Sequence, residues 1–308
     1  MRSWLYRVLI DPIGVAPIAF FRIMIGFLCG LSLLLDWPRL LTFFGPGAFP
    51  SIEQEIVIQH PRRFSLLFFL PHGDQAVFAV WALALIFAIL LCVGFRTRFS
   101  AFALYIFLVS IFHRNIDVLN SGDTLLRIFI LLLAFSDAGK AFSLDSWLAG
   151  RHTWAQQWQV EAPAWPQRLI QLQLAGVYCQ AALTKLPGHT WQNGTAVYYA
   201  THLLAYQKFS IPFIFENLLA VKLLTWGSLA IEFALFTLIW YRPWRKYVLW
   251  AGVLLHLGID WCLNIPLFEY LMLAAYICFF DATELKAALN TIFTALTNLW
   301  QRRLKKYS

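Results

Sequence analysis

The chain has 308 residues, 60% of them hydrophobic and only 13% charged, where a soluble domain carries about 25% charged residues. With a mean hydropathy of +0.64, water alone cannot be its solvent. The net charge of +8 does not point to nucleic acid, because the basic residues gather at the ends of apolar runs, where they set the orientation of membrane spans.

A spanning helix needs about 20 mostly apolar residues, and the apolar runs predict eight of them. The first, 15–36, follows Arg2 and Arg7 as a signal peptide would. It is too long for a signal core, contains Arg22 and shows no small-x-small cleavage site, so it is expected to stay as a helix. Residues 37–74 form a long connection with turn signals at Gly45-Pro46-Gly47 and Phe49-Pro50. Further spans are expected at 75–95, 99–114 and 123–137, the last two short or interrupted by polar residues, and at 167–186. The segment 187–215 holds an apolar run, Ala196 to Tyr206, that is too short to span. It either lies flat at the interface or folds into the bundle mouth. The last spans are expected at 216–240, 246–262 and 265–281. In the tail, Leu285, Leu289, Ile292, Phe293, Leu296 and Trp300 recur at steps of three and four before Arg302, Arg303, Lys305 and Lys306. That is the pattern of a helix lying on an anionic membrane surface. The expected fold is thus an all-α integral membrane protein, a bundle of about eight transmembrane helices over 1–282 with an amphipathic interfacial helix over 283–308.

With eight spans and the N-terminus inside, fifteen Lys and Arg fall in inner segments and six in outer ones, leaving Arg22, Arg127 and Lys185 within or at the edges of spans. The positive-inside rule then places both termini in the cytoplasm. Cys29, Cys92, Cys179, Cys262 and Cys278 sit in or beside apolar runs without CxxC spacing, so neither a disulfide framework nor a metal site is expected.

Ionisable groups inside spans are costly and each needs a reason. Arg22 and Glu232 stand at matched distances from the inner ends of their spans and are expected to form a buried structural ion pair. On the outer side, Asp123, Arg127, Lys185, His256, Asp260 and Glu269 come from four helices to one depth. His256 and Asp260 are four residues apart and share a helix face, so Asp260 is the natural orienter of the imidazole. Any one of these is ordinary helix-end polarity; as a set they mark an outer site. A lysine held partly out of water gives up its proton more readily and can act as a base, which singles out Lys185, although a lysine at a helix end also snorkels.

The segment Leu183-Thr184-Lys185-Leu186, followed by Trp191-Gln192-Asn193-Gly194, resembles the lysine segment of vitamin K-dependent gamma-carboxylase and its bacterial relatives, which share the HTTM domain. Phe21-Arg22-Ile23, Phe44-Gly45-Pro46-Gly47, Asn120-Ser121-Gly122-Asp123, Phe142-Ser143-Leu144-Asp145 and the stretch from His256 to Glu269-Tyr270 match in the same order, over nearly the whole chain. The resemblance implies an enzyme that uses a reduced quinone and O2 on the lumenal or outer side. In the animal enzyme a lysine base deprotonates the hydroquinone, and the strong base so generated takes a proton from a glutamate side chain. The resemblance gives the base's role to Lys185 and matches His256 to a histidine of the penultimate span; by their shared depth, Asp123, Arg127, Trp191, Asp260 and Glu269 are expected to support the site or bind substrate. It departs at Gly122, where the animal enzyme has a histidine. The chain also ends soon after the eighth span, where the animal enzyme continues into a large extramembrane region that grips its protein substrate. What is expected is an oxidoreductase or lyase of the plasma (inner) membrane, its site facing outward, taking menaquinol, ubiquinol or a vitamin K-like quinol as cofactor. Its partners are the bilayer and a secreted peptide or protein. The alternative is a non-catalytic quinone- or lipid-binding protein that assists maturation or export of a partner.

Overall fold

The computed structural model describes residues 4–59, 63–209 and 211–307. In chain order the helices are α1 Trp4–Leu9, α2 Ala16–Asp36, α3 Leu40–Phe44, α4 Ile52–Gln59, α5 Asp74–Val93, α6 Thr97–Arg114, α7 Ser121–Ala134, α8 Leu144–Leu148 and α9 Trp154–Trp158. They continue with α10 Trp165–Lys185, α11 His189–Gln192, α12 Ala196–His202, α13 Pro212–Phe215, α14 Leu218–Thr237, α15 Arg242–Cys262, α16 Phe268–Tyr276 and α17 Ala282–Tyr307. A helix therefore stands at each of the eight expected places. Among the described residues, three stretches are both long and apolar enough to cross a membrane: Ala16–Phe44, Asp74–Val93 and Leu218–Trp240. The others differ for physical reasons. α10 carries Gln167, Gln171, Gln173 and Gln180, α15 opens on Arg242, Arg245 and Lys246, and α7 and α16 are short.

The residues group into two compact units. The first comprises Met1–Leu119, Arg127–Arg168 and Ile277–Ser308. Its centre is the packing of α2 on α5 and α5 on α6, with Phe21, Ile25, Ala84, Ala88, Leu91, Leu104 and Leu108 essentially inaccessible. Small residues at 84 and 88, one turn apart, let α5 approach its neighbours closely. A short antiparallel pair, β1 Pro12–Gly14 with β2 Glu161–Pro163, ties the start of α2 to the start of α10. The first residues of α17 also belong to this core, with Leu285 buried against Ala16 and Trp158. Farther along, Ile292, Phe293 and Trp300 are exposed. Leu296 and the basic end of the tail, Arg302 to Lys306, have side chains outside the described set, and Arg2 and Arg62 of the charge count lie outside the described residues.

The long connection after α2 is held by two side chains at the end of α6. Arg114, wholly buried, donates from Nη1 to the Pro50 carbonyl at 3.0 Å and from Nη2 to the Gly45 carbonyl at 2.9 Å. Asn115 donates to the carbonyls of Phe43 and Phe49. The turn signals read from Gly45-Pro46-Gly47 and Phe49-Pro50, a cis peptide, thus sit on an arginine anchor.

The second unit comprises Asn120–Leu126 and Leu169–Tyr276. In the segment after α10, α12 packs on α14, and the Val197 amide donates to Thr225 Oγ1 at 3.1 Å.

Candidate functional site

Lys185 is the last residue of α10, and Pro187 stops the helix just beyond it because proline cannot continue the backbone ladder. Its Nζ pairs with Glu232 Oε1 on α14 and lies 4.7 Å from the centre of the Trp191 ring, within cation–π reach. The lysine side chain is 26% exposed and that of the glutamate 8%. Glu232 Oε2 is buried and has no partner among the described residues.

The Trp191-Gln192-Asn193-Gly194 segment exists to hold the tryptophan there. Trp226 of α14 donates from Nε1 to the Trp191 carbonyl at 3.1 Å. Asn193 Oδ1 accepts from the Thr195 amide at 3.1 Å, closing the turn that follows α11. Gly194 sits at φ +79°, in the left-handed region, and a Cβ there would come within 2.7 Å of Lys222 Cγ and 3.0 Å of the Trp226 ring. Glycine is required on both grounds.

Seven residues before Lys185, on the same face of α10 and about 10 Å along its axis, Tyr178 begins a second polar chain. Its hydroxyl is 2.6 Å from His256 Nε2 on α15 and 2.6 Å from the Tyr276 hydroxyl on α16. His256 Nδ1 bonds Glu269 of α16. All four side chains are buried. One donor order satisfies every member: Tyr276 O–H to the Tyr178 oxygen, Tyr178 O–H to His256 Nε2, and His256 Nδ1–H to Glu269. Gly252 makes room for it, since a Cβ there would stand 2.9 Å from Tyr276 Cζ.

Several expected pairings are corrected. The ion pair that Glu232 makes is with Lys185, where Arg22 was the expected partner. Arg22 donates from Nη2 to the Phe142 carbonyl at 2.6 Å, and Glu232 belongs to Lys185. Counting turns from helix ends assumed that all helices start at one level; in fact the end of α10 lies against the C-terminal half of α14, so its terminal cation meets the carboxylate. The orienter of His256 is Glu269, not Asp260. Asp260, one turn nearer the end of α15, accepts from the Tyr270 hydroxyl at 3.0 Å and faces Lys208 Nζ at 3.6 Å. Asp123 serves its own helix start, accepting the Asn120 amide at 2.9 Å. Arg127 belongs to the first unit, where it meets His113 Nε2 at 3.1 Å and lies over Phe112. Within the second unit, Lys185 and Tyr178 each begin a short polar chain on α10, and Asp260 makes a separate contact. Tyr178, Tyr276 and Trp226 have roles the sequence did not reveal; the spacing of seven between Tyr178 and Lys185 was the available signal.

A family model described as the HTTM domain matches residues 10–283, most of the chain. No solved structure matches it.

Proposed function

We propose that this chain, which belongs to the HTTM domain family, is a membrane enzyme that uses a reduced quinone and O2 on the outer side to modify an exported peptide or protein. The observation that carries the reading is the Lys185–Glu232 pair with Lys185 against the Trp191 ring, the second oxygen of Glu232 being buried and without a partner among the described residues. An unsatisfied buried acceptor is costly, and a quinol hydroxyl is a donor of the kind it lacks. The flat face of Trp191 suits an aromatic ring. The residues present fit the group on these counts. A bound quinol would supply the electrons that reduce O2.

What the chain's own residues do is move two protons in turn. For Lys185 to serve as the base, its ammonium proton must first go to Glu232, the carboxylate it already contacts, leaving a neutral amine beside a neutral acid. The amine then takes the quinol hydroxyl proton. Arginine in this place could hold Glu232 but not act as base, since it keeps its proton. The Tyr178–His256–Glu269 chain fixes α10 against α15 and α16, and so fixes where Lys185 stands.

The same ion pair also suits a protein that binds quinone or lipid and catalyses nothing, because a paired lysine has a structural role. One assay separates the two: quinol-dependent O2 uptake by the purified protein, with Lys185→Ala as control. Uptake that Lys185→Ala abolishes supports the enzyme. Quinol binding without uptake in the parent protein leaves the binding protein as the reading.

A further inference from the structure

The first unit carries a second polar locality that the proposed chemistry does not use. Beyond the α5–α6 turn an open recess of about 490 Å3 is lined by Arg96, Arg98, Lys140 and Arg151, with Asp137 and Asp145 as its acids. The acids are spent. Asp145 accepts the backbone amides of Arg96 and Thr97 at 2.7 and 2.9 Å and the Thr97 hydroxyl at 2.9 Å, so it closes the N-terminus of α6. Asp137 is shared between Arg98 Nη2 at 2.6 Å and Lys140 Nζ at 3.1 Å. Arg96 and Arg151 also line the recess, and neither has a carboxylate partner among the described contacts. Arg96 is also held at φ +43°, a backbone region that non-glycine residues rarely adopt and that costs energy unless the surroundings impose it.

Membrane topology alone asks for cations at such helix ends; it does not ask for four around one hollow. Their neighbours identify the occupant's other half. Phe99 lines the recess and is exposed, and α8, which supplies Asp145, exposes Leu144, Trp147 and Leu148. Exposed apolar side chains beside unspent guanidinium groups match an amphiphile, with a phosphate for the cations and acyl chains for the apolar rim. We infer that this recess holds the phosphate of an anionic phospholipid headgroup, with Arg96 and Arg151 as its principal ligands. The inference stands apart from the proposed enzymology, since none of these residues takes part in it.

The test uses the full chain in detergent, equilibrated with equal amounts of phosphatidylglycerol and phosphatidylcholine and then read by native mass spectrometry. The protein should retain phosphatidylglycerol preferentially. Arg96→Gln/Arg151→Gln should lower the retained ratio of the two lipids roughly tenfold, while Arg242→Gln/Lys246→Gln, at another basic helix start, should leave it unchanged. An unchanged ratio in the first variant, or an equal fall in the second, overturns the inference. Added salt provides a readout independent of variant folding: the preference of the parent protein should shrink as salt rises, and a salt-insensitive preference also counts against it. Lipid-free protein stabilised by inorganic phosphate through the same two arginines, without any lipid preference, would give the site to a soluble phosphate and overturn the lipid assignment.

Discussion

The two units handle buried charge in opposite ways. In the first, Arg22 and Arg114 are wholly buried and donate to backbone carbonyls, those of Phe142, Pro50 and Gly45. In the second, buried carboxylates meet side chains of other kinds: Glu232 meets Lys185, and Glu269 meets His256 and, through it, Tyr178. An arginine does not release its proton under any condition a protein survives, so the first arrangement can only hold structure. Lysine, histidine and tyrosine can change protonation state, so the second can hold structure or pass protons. The lesson is that buried charge marks chemistry only where both partners are able to titrate.

The sharpest way to break this contrast is Lys185→Arg. It keeps a cation for Glu232 and removes the exchangeable proton. Quinol-dependent O2 uptake should fall by about 100-fold or more, the usual scale for losing a positioned base, while the thermal transition of the purified protein stays close to that of the parent. Full activity in this variant would make Lys185 a structural ion and erase the difference between the units.

The second test works on the other side. Arg114→Ala removes both anchors of the Gly45–Pro50 turn and leaves those carbonyls unpaired in a buried place. It also removes a cation beside Glu55, which is itself buried and whose carboxyl is already held above its usual range by desolvation. Stability should drop by about 3 kcal/mol, read as a fall of several degrees in Tm. Activity per folded molecule should not change. Loss of activity in protein that is still folded would show that the first unit is more than scaffold.

Much of the helical architecture was legible, because apolar runs of helix length report burial directly. The ends of α2, α5 and α6 fall within a few residues of the expected bounds. The β1–β2 pair was not legible: Pro12-Ile13-Gly14 and Glu161-Ala162-Pro163 are too short to show a period. For the site, the sequence exposes the polar residues that interrupt apolar runs, which is how Lys185, His256, Glu232 and Glu269 were found. It does not expose their pairing. Which carboxylate meets Lys185 depends on the axial offset of α10 against α14, and which one meets His256 depends on how the 263–267 connection returns α16 beside α15. Neither quantity is written in spacing along one helix, so Asp260, one turn away, was the nearer but wrong partner. Tyr178 and Tyr276 were hidden for another reason: a tyrosine in an apolar run is common near membrane interfaces, and nothing local distinguishes one that is buried and bonded.

The smallest expected effect addresses those tyrosines. Tyr178→Phe preserves the ring and its packing and removes one oxygen. That oxygen serves two neighbours, His256 Nε2 and the Tyr276 hydroxyl, each at 2.6 Å. Both are buried, so water does not replace it readily, and the change should cost about 1–3 kcal/mol. Stability alone would not separate a bonded chain from a tightly packed one. The imidazole does: with Nδ1 tied to Glu269, Nε2 loses its donor, and the Nε2 nitrogen resonance of isotopically labelled His256 should shift while that of Nδ1 moves less. Tyr276→Phe should shift it far less, because in the donor order derived above Tyr276 donates to Tyr178 and does not touch the ring nitrogen. Equal shifts in the two variants would mean that the hydroxyls do not run in that order. The second unit would then hold His256 by Glu269 alone, and the continuity that distinguishes it from the arginine anchors of the first unit would shrink to single pairs.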